Sequence, residues 1–245
     1  GPSTANGGSP GAVNSLRSDD IAPVITGVTH APAVPTSADS VTISCQLTDE
    51  SAASALAATV YWRNATTTSP GAFQAVAMTG DGTGRFTAQL AALANKQIVE
   101  FYVSATDGAN TRTWPAPTSE SQNANCTYQV DNEVVAGSDA VYRLVLTAAE
   151  NSAFQTVNTQ SDRQFNVTLV VTRGADTTIR YLTSMRIRGN SSRGYTIKPL
   201  RISLPNDRRW DGVSDFIINP RGAPVQLLAH RIQRAAGLVA ADATP

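Results

Sequence analysis

A mainly β chain in two modules is what this sequence predicts, and three observations carry the prediction. Val, Thr, Ser and Ala are abundant while aromatics make up only 6%, a mixture that favours strands and turns. Short runs of alternating apolar residues recur between Gly, Pro and Asn turns across residues 20–134, the pattern of a β-sandwich. The charge then changes sign: residues 1–135 hold five Lys+Arg against eleven Asp+Glu, and residues 136–245 hold fourteen against eight. Two modules with different surfaces account for this, the second mixing strands with helices.

Residues 1–19 are rich in Gly, Ser, Pro, Asn and Ala and read as a linker or the tail of a preceding domain. Gly8-Ser9-Pro10-Gly11-Ala12-Val13-Asn14 resembles the closing segment of lamin-tail domains in bacterial surface proteins. The start Gly1-Pro2-Ser3, without Met or a signal peptide, reads as a piece of a longer, exported polypeptide.

The strands of the first module follow in order. Val24 to Val28 is the first. Ser40 to Leu47 alternates with period 2, its apolar set being Val41, Ile43, Cys45 and Leu47. Ala58 to Arg63 is the third, and a turn at Gly80 to Gly84 precedes Arg85 to Leu90. Ile98 to Asp107 and Cys126 to Val130 close the set. Cys45 and Cys126 are the only cysteines, either one disulfide of an exported protein or two buried thiols. The segment resembles immunoglobulin-like or fibronectin type III modules, with Val99-Glu100-Phe101-Tyr102-Val103 as the Tyr-bearing penultimate strand. That resemblance puts the cysteines on the second and last strands rather than on the usual pair, and it implies a spacer or adhesion role.

In the second module Val141 to Leu146 is a strand, and Thr147 caps a helix with Glu150 three residues on. Gln164 to Val171 and Ile179 to Arg188 are the next strands. Arg188-Gly189-Asn190-Ser191-Ser192-Arg193 forms a polar turn, which can present N–H groups, hydroxyls and guanidiniums to a phosphate. Lys198, the one lysine of this half, opens the following strand through Leu204. The competing reading is a solvated polar turn with Lys198 lying along a strand edge. Phe216 to Asn219 is another strand. Pro224 to Ala236 reads as an amphipathic helix with Leu227, Leu228, Ile232 and Ala235 on one side, stopped by Gly237.

Taken together, Val141-Tyr142-Arg143-Leu144, Arg186 to Arg193, Lys198-Pro199-Leu200-Arg201-Ile202, Phe216-Ile217-Ile218-Asn219 and the helix ending Arg234-Ala235-Ala236-Gly237 resemble, in order, the N-terminal portion of the spore coat protein H (CotH) kinase family. The resemblance spans about residues 140–245 and implies a kinase N-lobe-like α+β fold. It makes Lys198 the nucleotide-phosphate lysine, with Arg188, Asn190, Ser191 and Ser192 shaping the turn around the nucleotide. ATP and Mg would act in the complete parent domain, and neither is expected to be held stably by this fragment. The family's helix opens with Arg-Glu, whereas Val225-Gln226 stands here, and Gln cannot supply the opposing charge. No metal-binding acidic pair is identifiable, so the fragment alone is not expected to complete phosphoryl transfer.

The expected parent is therefore a secreted or cell-surface bacterial protein with an atypical kinase-like domain. The alternative is a pseudokinase fold serving as a surface scaffold, adhesion or assembly subunit. Expected partners are other domains of the parent polypeptide, a surface assembly or a protein phosphoacceptor, and not nucleic acid. No apolar run approaches the ~18–20 residues of a membrane span. Zinc spacings, hydrolase elbows, Walker loops and dinucleotide fingerprints are missing from the sequence. Asp19-Asp20 and Asp49-Glu50 read as solvated loop carboxylates rather than calcium ligands.

Overall fold

The computed structural model describes residues 20–118, 124–135, 139–210, 212–219 and 223–238. The linker expected at 1–19 lies outside the described residues. In the first part of the chain the strands are β1 (Val24–Ala31), β2 (Val41–Thr48), β3 (Ala57–Asn64), β4 (Gln74–Ala77), β5 (Thr79–Gly80), β6 (Arg85–Leu90), β7 (Ile98–Thr106), β8 (Thr111–Trp114) and β9 (Cys126–Gln129). They form one sheet of order β1-β2-β6-β5 and a second of order β4-β3-β7-β8, with β9 also paired to β7. The fold is mainly β with antiparallel sheets, as the composition predicts.

Period-2 alternation builds the sandwich. On β2 the buried residues are Val41, Ile43, Cys45 and Leu47, with Thr42, Ser44 and Gln46 turned outward. They meet Val60, Val99, Phe101 and Val103 of the opposite sheet in one apolar core. Glu100 is buried on the other face of β7 and is compensated: Arg63 Nε donates to its Oε2 at 2.7 Å and Asn125 Nδ2 to its Oε1 at 2.7 Å.

The disulfide left open between Cys45 and Cys126 is not made, since both are free buried thiols. Cys126 lies on β9, paired in register with Phe101 of β7, while Cys45 sits opposite Phe86 in the other sheet. Burial pushes the Cys45 thiol up to about 11 and the Cys126 thiol well above its ordinary value, so both stay protonated and inert at neutral pH.

The rest of the chain adds β10 (Val141–Val145), helix α1 (Ala148–Thr156), β11 (Phe165–Arg173), β12 (Asp176–Ile187), β13 (Leu200–Ser203), β14 (Asp215–Ile218) and helix α2 (Ala223–Ala235). The five strands form a sheet in sequence order. Thr147 caps α1 as its spacing predicts, its Oγ1 accepting from Glu150 N at 3.1 Å. Val167, Met185 and Ile202 make the core of this sheet with Leu144, Phe154 and Phe216 packed around them.

One β-bulge joins the two modules. Val167 pairs with Thr183 and Leu169 with Arg180, so Tyr181 and Leu182 together oppose Thr168. Leu182 takes φ +55°, a conformation rare for leucine. Both residues then face the sandwich, and Tyr181 becomes part of its core at 2% exposure. Its hydroxyl is hydrogen-bonded to His30 Nδ1, and its ring stands edge-on to Phe101 and Trp114 at 5.7 and 6.1 Å. Polar contacts seal the rest of the seam. Thr127 Oγ1 donates to Val145 O at 3.0 Å and shares a hydrogen bond with Thr168 Oγ1 at 2.8 Å. Asn166 Nδ2 donates to Asn125 O at 2.9 Å. The two modules therefore meet through Asn166 and Thr168 on one face of β11 and through Tyr181 of β12.

Helix α2 forms where the periodicity places it, but its apolar stripe is not buried. Val225, Leu228 and Ile232 are 72%, 59% and 60% exposed, while Leu227 and His230 are half-buried. The expected inward face thus points to solvent.

Candidate functional site: an arginine-lined pocket beside the polar turn

The turn after β12 depends on Gly189. Its φ is +100°, and a Cβ there would lie 2.0 Å from Ser192 Oγ. Ser191 to Gly194 form a single 3₁₀ turn, closed by Arg193 N donating to Asn190 O at 3.3 Å. Gly189→Ala is accordingly expected to cost about 1–3 kcal/mol in a thermal melt and to disorder the turn, because strain and collision act at the same position.

Arg193 is the clamp of this turn. It is buried at 9% exposure. Its Nε donates to Gly189 O at 2.6 Å and its Nη1 to Thr159 O and Ser161 O at 3.2 and 3.1 Å. Nη2 donates to Asp162 Oδ1 at 2.7 Å. The same carboxylate oxygen accepts from Arg186 Nη1 at 2.9 Å. Arg193's hydrogen bond and charge hold the Asp162 carboxyl below its ordinary range.

Strand register gathers the remaining arginines. Arg186 lies directly opposite Arg201 across β12 and β13, and Arg201 lies opposite Ile217 across β13 and β14. Like charges facing across a sheet repel; each here is offset by a carboxylate. Asp162 takes Arg186, and Asp215 Oδ1 accepts from Arg201 Nη2 at 2.8 Å. Arg201 Nε is buried without a partner. The Arg188 side chain has no hydrogen-bond or ion-pair partner among the described residues. Arg186, Arg188, Gly189, Asn190, Arg193, Arg201, Asp215 and Ile217 line a pocket of about 590 Å³.

Of the residues singled out in the sequence, Arg188 and Asn190 line this pocket, whereas Ser191, Ser192 and Lys198 do not. Lys198 Nζ donates to Tyr195 O at 2.9 Å, within its own loop. Gln226 accepts from Asn219 Nδ2 at 2.9 Å. Arg186, Gly189, Arg193, Arg201, Asp215 and Ile217 also line the pocket, and sequence alone assigns none of them a nucleotide-binding role. Alternation along β12 and β13 puts each arginine on the polar face of its own strand, but their convergence needs the cross-strand register.

Among the described residues no group of three or more His, Cys, Asp and Glu is placed to hold a metal. Asp49 Oδ1 accepts from Ser51 N at 2.8 Å and Glu50 Oε1 from Ile21 N, so both serve loop backbone, and Asp19 lies outside the described residues. No helix among the described residues is long and apolar enough to cross a membrane.

No family model matches this chain, and no curated protein does. Among solved structures, the cycloalternan-forming enzyme of Listeria monocytogenes in complex with a pentasaccharide substrate aligns at 12% identity and a TM-score of 0.30 over 72% of this chain. An uncharacterized protein from the same organism aligns at 11% identity and 0.29 over 71%. A second structure of it, with glucose, magnesium and calcium, aligns at 11% and 0.29 over 72%. The alignments cover 13% of each of these longer chains.

Proposed function

We propose that residues 135–245 are the nucleotide-side half of a CotH-type kinase-like domain, carried by a secreted or cell-surface bacterial protein, and that the arginine pocket receives the phosphates of ATP. The observation behind this reading is Arg188, a guanidinium with no partner among the described residues, beside Asn190 from the same turn. A planar fork in a pocket walled by guanidiniums suits phosphate oxygens. ATP would supply the transferable phosphoryl group; the part of these residues is to hold and orient its phosphates. Lys198 is half-buried and engages only a carbonyl of its own loop through Nζ, a contact that phosphate can replace. No transfer step is assigned to these residues. The sandwich acts as the carrier that fixes this half-site relative to other domains of the parent, a surface assembly or a protein phosphoacceptor.

The reading is tested by calorimetric titration of ATP, with and without Mg, into the chain and into Arg188→Ala and Lys198→Ala. Each substitution is expected to weaken binding by about tenfold, the scale of one charge-assisted contact. Absence of ATP binding, or binding untouched by both substitutions, removes it.

A second reading, a surface scaffold with a kinase-like architecture, is favoured by the outward apolar stripe of α2. A stable oligomer that ignores ATP would support it. A monomer that binds ATP would exclude it.

A further inference from the structure

We infer that the pocket across β12–β14 takes a dianionic phosphate group on Arg188 and Arg201, and that Asp215 is a built-in competitor for Arg201. The inference rests on reading the pocket as a phosphate site, though not on the ligand being a nucleotide.

Charge sets the ligand class. Four guanidiniums belong to the pocket, and two carboxylates, Asp162 and Asp215, pair with them. Two positive charges are left over, the complement of a phosphate monoester dianion or a terminal phosphate. The four arginines are not equivalent. Every nitrogen of Arg193 is engaged by carbonyls or Asp162, so it positions the turn and has nothing to give a ligand. Arg186 is tied through Nη1 to Ile187 O and to Asp162, a carboxylate that Arg193 also holds in place. That leaves Arg188, without a partner among the described residues, and Arg201.

Arg201 is poorly served by its present partner. Asp215 reaches one terminal nitrogen at 2.8 Å, and Nε stays buried and unpaired. A guanidinium prefers two parallel contacts to one oxyanion. A phosphate entering beside Arg188 offers three oxygens. It can take Arg188 and, by displacing Asp215, let Arg201 turn and pair both Nη2 and Nε. The carboxylate and the ligand thus compete for one cation. Ile217, 48% exposed at the same wall, leaves an apolar surface for the organic part of a phosphate ester.

The test is calorimetric titration of inorganic phosphate and of ATP into the full chain and into Asp215→Asn, Arg201→Lys and Arg112→Ala, each first checked for an unchanged circular dichroism spectrum. Asp215→Asn keeps the shape of the competitor and removes its charge, so phosphate should bind it several-fold more tightly, roughly three- to tenfold. Arg201→Lys keeps the charge and loses the fork, and should bind phosphate about tenfold more weakly. Arg112→Ala, an exposed arginine of β8 outside the pocket, should leave phosphate affinity within about twofold. Unchanged or weaker binding by Asp215→Asn, or phosphate affinity untouched by Arg201→Lys, overturns the inference. The nucleotide reading fails separately: phosphate binding that obeys Arg201 and Asp215, with ATP no better than phosphate, sinks the nucleotide and keeps the dianion site. ATP binding indifferent to Arg201 and Asp215 does the reverse.

Discussion

Tyr181→Ala is expected to destabilise the protein by about 3–5 kcal/mol, the usual cost of deleting a large buried aromatic ring. Tyr181 is one of the largest fully buried side chains, and it belongs to the third sheet while lying in the core of the other two. Its loss opens a cavity bounded by Phe101 and Trp114 and leaves His30 Nδ1 without a donor. Both effects fall on the seam, so coupling between the modules should weaken along with stability. The three tryptophans report this separately: Trp62 and Trp114 pack against the sandwich core, and Trp210 against the cluster around Leu169 and Leu204. In urea the native protein should unfold in one transition, and the alanine variant in two, with Trp210 emission changing first. Tyr181→Phe keeps the ring and removes only the hydroxyl. It should cost about 1–3 kcal/mol, the penalty for stranding a buried hydrogen-bonding group, and should keep a single transition. A loss below about 1 kcal/mol in Tyr181→Ala would show that the seam closes over the gap.

That residue also marks where the sequence stops being readable. The alternation of β2 shows on inspection, because each apolar residue there faces the core that its period predicts. The Thr147–Glu150 cap is equally local. The run from Ile179 to Arg188, by contrast, reads as one simple strand, in which Tyr181 would share a face with Thr183 and Met185. The bulge breaks that phase through a leucine at positive φ, which no propensity scale favours. The surrounding packing imposes it, and packing between modules is not written in any one segment. The candidate site divides in the same way. Arg188 and Asn190 could be found because a glycine turn announces itself, and Gly189 has no room for a Cβ. Arg201 and Asp215 could not, since they meet only through the β12–β13–β14 register. Lys198 was the most conspicuous residue by rarity, yet rarity says nothing of direction, and its ammonium turns to Tyr195 O. The stripe on α2 shows the converse limit: periodicity specifies which residues share a side of a helix, not whether that side is covered.

Acid should loosen the same seam before it affects the surface carboxylates. His30 is 2% exposed and sits among Phe101, Tyr128 and Tyr181, its ring stacked on Tyr128 at a centroid distance of 5.0 Å. Its Nε2 lies 3.1 Å from Ala33 O, a carbonyl that can only accept, so Nε2 carries the proton and Nδ1 accepts from the Tyr181 hydroxyl. The neutral ring is therefore satisfied at both nitrogens. The titratable groups around the Tyr181 contact, Tyr128, Tyr181 and Cys126, are all pushed upward by burial and remain neutral, so none offers a counter-charge to an imidazolium. Burial lowers the His30 pKa from 6.5 to about 4. Between those values the unfolded chain binds a proton that the folded one refuses. The contribution of His30 is thus fully present above pH 6.5 and is lost as pH falls toward 4. The total is about 3 kcal/mol by linkage. Glu150 works in the opposite direction, since burial raises its carboxyl pKa and its contribution is lost as pH rises through the folded value. Comparison with His30→Gln, whose amide can keep one donor and one acceptor but cannot titrate, cancels Glu150 and every other group. Read from urea midpoints, the stability of the native chain relative to His30→Gln should fall by about 2–3 kcal/mol between pH 7 and about pH 4.5, most of the way through the His30 window. A constant difference across that range would mean that His30 is protonated in the fold and that the seam tolerates its charge.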